Sequence, residues 1–155
     1  MRDYIEENEM NIPPGRRRAR AVAAQILYQA DLTGDTERIP EQLLLWLEEF
    51  HVRGENKEFA EELVCGALAA RTEIDALLAE RARKWEISRM SMVDRNLLRL
   101  ALFEMLYRDS TPRRVVVNEV VELAKTFGGD DSSRFINGIL HGFLRREDKI
   151  AAARQ

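Results

Sequence analysis

An all-α fold is what the 155-residue chain predicts, on three observations. Ala, Leu, Glu and Arg dominate its composition, all strong helix formers, while β-branched runs are scarce. Apolar residues recur three and four apart along most of the length, the period of an amphipathic helix. A hydrophobic fraction of 45% suits one compact domain with a core of its own.

The elements follow in order. Residues 1–15 have no apolar period and end in Pro13-Pro14-Gly15, which reads as a flexible acidic N-terminal tail. A first helix is expected from about Arg16 to Leu32, with Val22, Ala23, Ile26, Leu27 and Ala30 on one stripe and Thr33-Gly34-Asp35 as its stop. A second begins near Pro40 and carries Leu43, Leu44, Trp46, Leu47 and Phe50. A third carries Phe59, Leu63, Val64, Ala67 and Leu68. Thr72-x-x-Asp75 resembles a capping box, so either a fourth helix starts there or one long bent helix continues. Ser91-x-x-Asp94 opens a fifth helix that is apolar over most of its circumference and belongs in the middle of a bundle. The sixth runs through Val116, Val120, Ala124 and Phe127 to the stop Gly128-Gly129. The seventh, with Asp131 as its cap, buries Ile136, Ile139, Leu140 and Phe143. Residues 16–146 form the expected folded unit, and 147–155 a charged C-terminal tail.

Several function classes are disfavoured. No apolar run reaches the roughly 18 residues that would span a bilayer, and the acidic N-terminus lacks a signal-peptide layout, so a cytoplasmic protein is expected. The lone Cys65 agrees, and beside Gly66 it reads as a small buried residue at a close helix contact. There is no P-loop, GxGxxG, HExxH or CxxC. Glu48-x-x-His51 matches half of a di-iron bundle motif, but the only other histidine, His141, has Gly138 three residues before it. His51 reads as a surface residue near a helix end. No catalytic residues, metal or cofactor are expected, and the chain is read as a binding protein, not an enzyme. A small enzyme that holds an anionic metabolite, and a scaffold that binds only protein, are the competing classes.

The formal net charge of −3 conceals a separation into patches. Residues 35–62 hold nine acids against three bases, whereas Arg16, Arg17, Arg18 and Arg20 place four positive charges on five residues. At the start of a helix cations face the unfavourable end of the dipole, so an anion partner explains them better than stability does. Tyr28, about two turns beyond Arg20, suits base stacking, although a core tyrosine is the plainer reading. The polar pairs Asn118-Glu119 and Asn137-Gly138 read as structural, with amides bonding across a helix pair and Gly138 permitting close approach. The loop Gly128–Ser133 exposes a helix N-terminus able to take a phosphate or a base edge.

Three segments resemble the NusB family. Asn118–Gly128 followed by Ser132–Leu140 is similar to its C-terminal signature, RRRARAVAAQILYQAD to its arginine-rich first helix, and VDRNLLRLALFEMLY to its central helix. They fall in the family's order and span about residues 16–144. The resemblance implies a compact bundle of about seven helices in two helical subdomains. It also implies a transcription antitermination factor that binds boxA-type single-stranded RNA in nascent ribosomal transcripts together with the ribosomal protein NusE, within an antitermination complex on RNA polymerase. Carried over by position, it implies that Arg16, Arg17, Arg18 and Arg20 hold phosphates and that Tyr28, Asp131 and Phe135 contribute to the RNA surface, with Lys125 and Arg134 added by proximity. The period of Phe135 also fits the core. Asp94 and Arg95 fall where the ribosomal protein is met. A related reading is the RNA-binding domain that precedes some ribosomal RNA methyltransferases, which the chain's end just after the helical unit disfavours. Four arginine–phosphate contacts would give a log–log salt slope near −3, at about −0.7 per contact on single strands. The acids Asp3, Glu6, Glu7 and Glu9 lie one short linker from the arginines and are expected to fold back on them transiently, a solubilising tail being the plainer alternative.

Overall fold

A computed structural model describes residues 12–82 and 87–145. The expectations for Asp3, Glu6, Glu7 and Glu9, and for residues 147–155, lie outside them. Seven α-helices account for most of the described residues: α1 (Arg16–Thr33), α2 (Ile39–Glu49), α3 (Glu55–Ala69), α4 (Arg71–Arg81), α5 (Met92–Tyr107), α6 (Arg113–Phe127) and α7 (Ser132–Arg145). A short 3-10 turn, Ile87–Arg89, precedes α5.

The helix stops work as the sequence suggests at most junctions. Gly34 ends α1 with φ 72°, a left-handed conformation that glycine adopts without a Cβ clash, and its N–H bonds to the Ala30 carbonyl. Pro40 sits in the first turn of α2. Ser91 caps α5, its Oγ accepting from the Asp94 N–H at 3.0 Å. One junction differs. The chain does break between α3 and α4, but at Ala70, with no side-chain cap. Thr72 lies inside α4, and the Asp75 carboxylate is drawn away to Arg99 at 2.8 and 2.9 Å, so the expected capping box does not form.

Helix α5 is the centre of the bundle. Asn96 to Leu106 are all buried, and α5 packs against α1, α3, α4, α6 and α7. Helices α1–α3 pack together on one side, and α6 and α7 pair on the other. A continuous cluster of buried apolar side chains runs through both groups. The close helix contact falls at Gly66, where a Cβ would stand 2.0 Å from the Phe103 ring. Cys65, expected there, is exposed instead. Nor does Gly138 bring two backbones together: a Cβ there would meet nothing within 4 Å, and Asn118 and Asn137 point to solvent. Ile12, placed in the tail by the sequence, is buried, and its carbonyl accepts from Arg18 Nη2 at 2.8 Å.

Two buried ionic contacts join α1 to α5, which run antiparallel. Near one end, Arg20 donates from Nε and Nη2 to the two carboxylate oxygens of Glu104, at 2.8 and 2.6 Å, with side-chain exposures of 3% and 0%. Near the other, Asp31 accepts from Arg95 at 2.5 and 2.9 Å, from Asn96 at 2.9 Å and from Arg99 at 3.1 Å. Burial pushes the Asp31 carboxyl up, but the hydrogen bonds from Arg95 and Asn96 and the charges of Arg99 and Arg95 outweigh it, holding it below the usual carboxylate range.

Breaking a buried pair leaves one charge uncompensated. Glu104→Gln is expected to cost about 3–5 kcal/mol, lowering Tm on the order of 10 °C by calorimetry. Asp31 has a folded-state pKa below its unfolded value. Its contribution is therefore fully present above about pH 4 and fades as pH falls through the lower folded value. Asp31→Asn is expected to be less stable at pH 7 and to lose less stability than the parent between about pH 5 and 2, read from urea unfolding across that range.

Candidate nucleic-acid interface

Successive residues of a helix project about 100° apart, so a run of arginines fans out. The four at the start of α1 reach different neighbours, and each has a partner within the protein. Arg16, exposed, lies over the Phe59 ring at 4.2 Å and donates to the Glu55 carbonyl at 3.2 Å. Arg18 turns to the end of α2, donating to the carbonyls of Ile12 and Phe50. Arg20 enters the core to meet Glu104. Arg17 crosses to α6, where Nε donates to Glu119 Oε2 at 2.6 Å and Nη2 to Oε1 at 3.3 Å.

This corrects the assignment of phosphate contacts to all four. Arg20 is 3% exposed with its charge matched by a carboxylate, so it belongs to the core. Internal acids also answer the dipole argument for Arg17 and Arg20, which need no external anion to explain them. Arg16 is exposed and Arg17 and Arg18 are half-buried, and among the described residues Arg16 retains an uncancelled charge, since a ring face and a carbonyl do not neutralise it.

The surface continues along α6 and into α7. Lys125 is exposed and donates to Glu122 at 3.0 Å; its ammonium holds the Glu122 carboxyl below the usual carboxylate range. Gly128 follows, and a Cβ there would lie 2.4 Å from Ser132 Cβ, so only glycine permits this turn. The loop is closed by the Gly129 N–H donating to Ser132 Oγ at 3.0 Å. Ser132, not Asp131, therefore supplies the side-chain bond at the start of α7. Asp131 contributes its carbonyl, which accepts from the Phe135 N–H, and leaves its carboxylate exposed. Arg134 is exposed. Phe135 is half-buried and packs on the core cluster.

Tyr28 is also half-buried. It lies eleven residues after Arg17, which on a helix is about 16 Å along and about 20° around, so the two share a face. The candidate interface thus comprises one face of α1, the end of α6 and the start of α7. The sequence missed Glu119 and Glu122 as members of this strip. Asn118-Glu119 was visible as a polar pair inside an apolar helix, but its partner lies 102 residues away.

The region assigned to a protein partner divides in the same way. Arg95 is largely buried and engaged with Asp31, so it acts as internal support. Asp94 is half-buried near the surface of the first turn of α5. Among the described residues no group of three or more His, Cys, Asp or Glu could hold a metal ion, and no helix is long and apolar enough to cross a membrane.

Known proteins resemble the chain over most of its length. The family profile described as NusB family matches residues 17–145. The chain is 49% identical over 138 residues to the transcription antitermination protein NusB of Desulforamulus reducens, covering 88% of this chain and 94% of that one. The solved structure of NusB from T. maritima superposes with a TM-score of 0.76 at 34% identity, covering 89% of this chain and 91% of the other. A crystal structure of the antitermination factors NusB and NusE in complex with dsRNA contains a chain with a TM-score of 0.72 and 29% identity, covering 89% and 96%.

If Arg16 contacts phosphate and Arg20 does not, the two are separable by salt titration. Arg16→Ala is expected to flatten the log–log salt slope of RNA binding by about 0.7. Arg20→Ala, measured well below its lowered Tm, should leave the slope where it is.

Proposed function

The chain belongs to the NusB family, and from that premise we propose that it is a transcription antitermination factor acting by binding alone. Its ligand is boxA-type single-stranded RNA in nascent ribosomal transcripts, taken together with the ribosomal protein NusE, and the pair promotes processive transcription in the bacterial cytoplasm. The observation that carries this reading is the similarity along residues 17–145 to a family with a member solved in complex with NusE and RNA.

The interface supports a division of labour. Arg16, Arg17, Lys125 and Arg134 supply phosphate contacts, which set register and give affinity without sequence choice. Tyr28 and Phe135 offer ring faces for unstacked bases, and stacking on an aromatic contributes about 1–3 kcal/mol per base. The Asp131 carboxylate and the amides at the start of α7 offer base-edge contacts. Arg18 and Arg20 hold α1 in place. Asp94 lies on the ribosomal-protein side, with Arg95 and Asp31 bracing the turn that carries it. Residues 16–146 constitute the RNA-binding unit.

Fluorescence anisotropy of a labelled boxA-type RNA and a scrambled control, with and without NusE, tests this. Preference for boxA that sharpens when NusE is added is the expected result. Equal binding of both RNAs, unchanged by NusE, would overturn it. Arg16→Ala is expected to weaken both RNAs alike, as a phosphate contact should.

A further inference from the structure

The four arginines differ in what already occupies them. Among the described residues Arg16 rests on a ring face and a carbonyl, which leave its charge available, and Arg18 donates to two carbonyls. Arg20 is neutralised in the core, out of reach of a ligand. Arg17 is both neutralised by a carboxylate and accessible: its side chain is 38% exposed and that of Glu119 24%. The Glu119 oxygens occupy its Nε–Nη2 fork, the position in which a guanidinium takes a phosphate. Glu122, one turn further along α6, adds a second negative charge that Arg17 feels, and Lys125 keeps it ionised.

We propose that Glu119 is a specificity-determining counter-charge, a built-in occupant of the Arg17 fork that suppresses RNA binding through phosphates alone. This rests on the RNA-binding reading above and deepens it. A half-exposed ion pair exchanges at modest cost, so the fork opens to a strand that is held in register elsewhere. A strand with no base contacts must instead displace a carboxylate to gain one phosphate contact, and it then lies beside two like charges. Without Glu119 the four groups Arg17, Glu119, Glu122 and Lys125 would change from neutral to a net positive strip, attractive to any polyanion.

The test is a coupling experiment on the full chain with oligouridylate as the sequence-neutral probe and boxA-type RNA beside it. Glu119→Gln keeps the side-chain shape and removes the charge. It is expected to raise oligouridylate affinity about five-fold at low salt, to raise boxA affinity less, and so to narrow the preference between them. In an Arg17→Ala background the same substitution should yield less than half that gain. Unchanged or weaker oligouridylate binding by a Glu119→Gln protein of normal Tm would overturn the proposal. An equal gain with and without Arg17 would also overturn it. The parent protein separates this from the broader reading: absence of a boxA preference in the parent defeats the antitermination assignment, while the oligouridylate gain still reports on Glu119.

Discussion

The rest of the molecule depends on how α1 is fixed to α5. The two helices run antiparallel and are clamped twice, by Arg20–Glu104 near one end and by Asp31 with Arg95, Asn96 and Arg99 near the other. On α1 the clamps are eleven residues apart, about 16 Å. Between them α1 buries mostly apolar side chains, Ala23, Ala24, Ile26 and Leu27, with Gln25 among them. Apolar packing is nondirectional and would tolerate rotation or sliding of one helix on the other. Two hydrogen-bonded ion pairs of fixed geometry restrict both movements, and they do so at the cost of desolvating four or more charges.

That restriction sets which side chains face solvent. With Arg20 anchored inward, Arg17 is turned toward α6 and Arg16 toward the surface over Phe59. The same helix carries Arg16 and Arg17, proposed to meet RNA, near its start and, at its far end, the aspartate that braces the first turn of α5. The proposed RNA surface and the proposed partner region are therefore tied to one helix about 27 Å long. No movement of one helix relative to another is needed for both to be presented together.

The helices themselves were legible in the sequence because the three-and-four spacing and the punctuating Gly34, Pro40, Ser91 and Gly128 are local signals. The site was legible only in outline. Counting charge treated Arg16, Arg17, Arg18 and Arg20 as equivalent, whereas the bundle assigns them to surface, counter-charge, loop anchor and core. What separates them is contact with Glu119 and Glu104, 102 and 84 residues away, and no periodicity reports on such distances. One clue was present: Glu104 lies within an otherwise apolar stretch of α5, and an acid buried there requires a cation. Cys65 and Gly138 were misplaced for the opposite reason. Their small size was read as evidence of close packing, but Gly66 is the residue against which Phe103 packs.

The central claim is that Arg20 is structural and that its neighbours Arg16 and Arg17 carry the RNA. Replacing the pair together, Arg20→Met with Glu104→Leu, tests it most directly, because an apolar pair of similar volume can stand in for a buried ion pair where a single substitution cannot. The account predicts a folded protein whose RNA affinity and salt slope match those of the parent. A folded double variant with weaker RNA binding and a slope flattened by about 0.7 would contradict it, and would return Arg20 to the phosphate-binding surface.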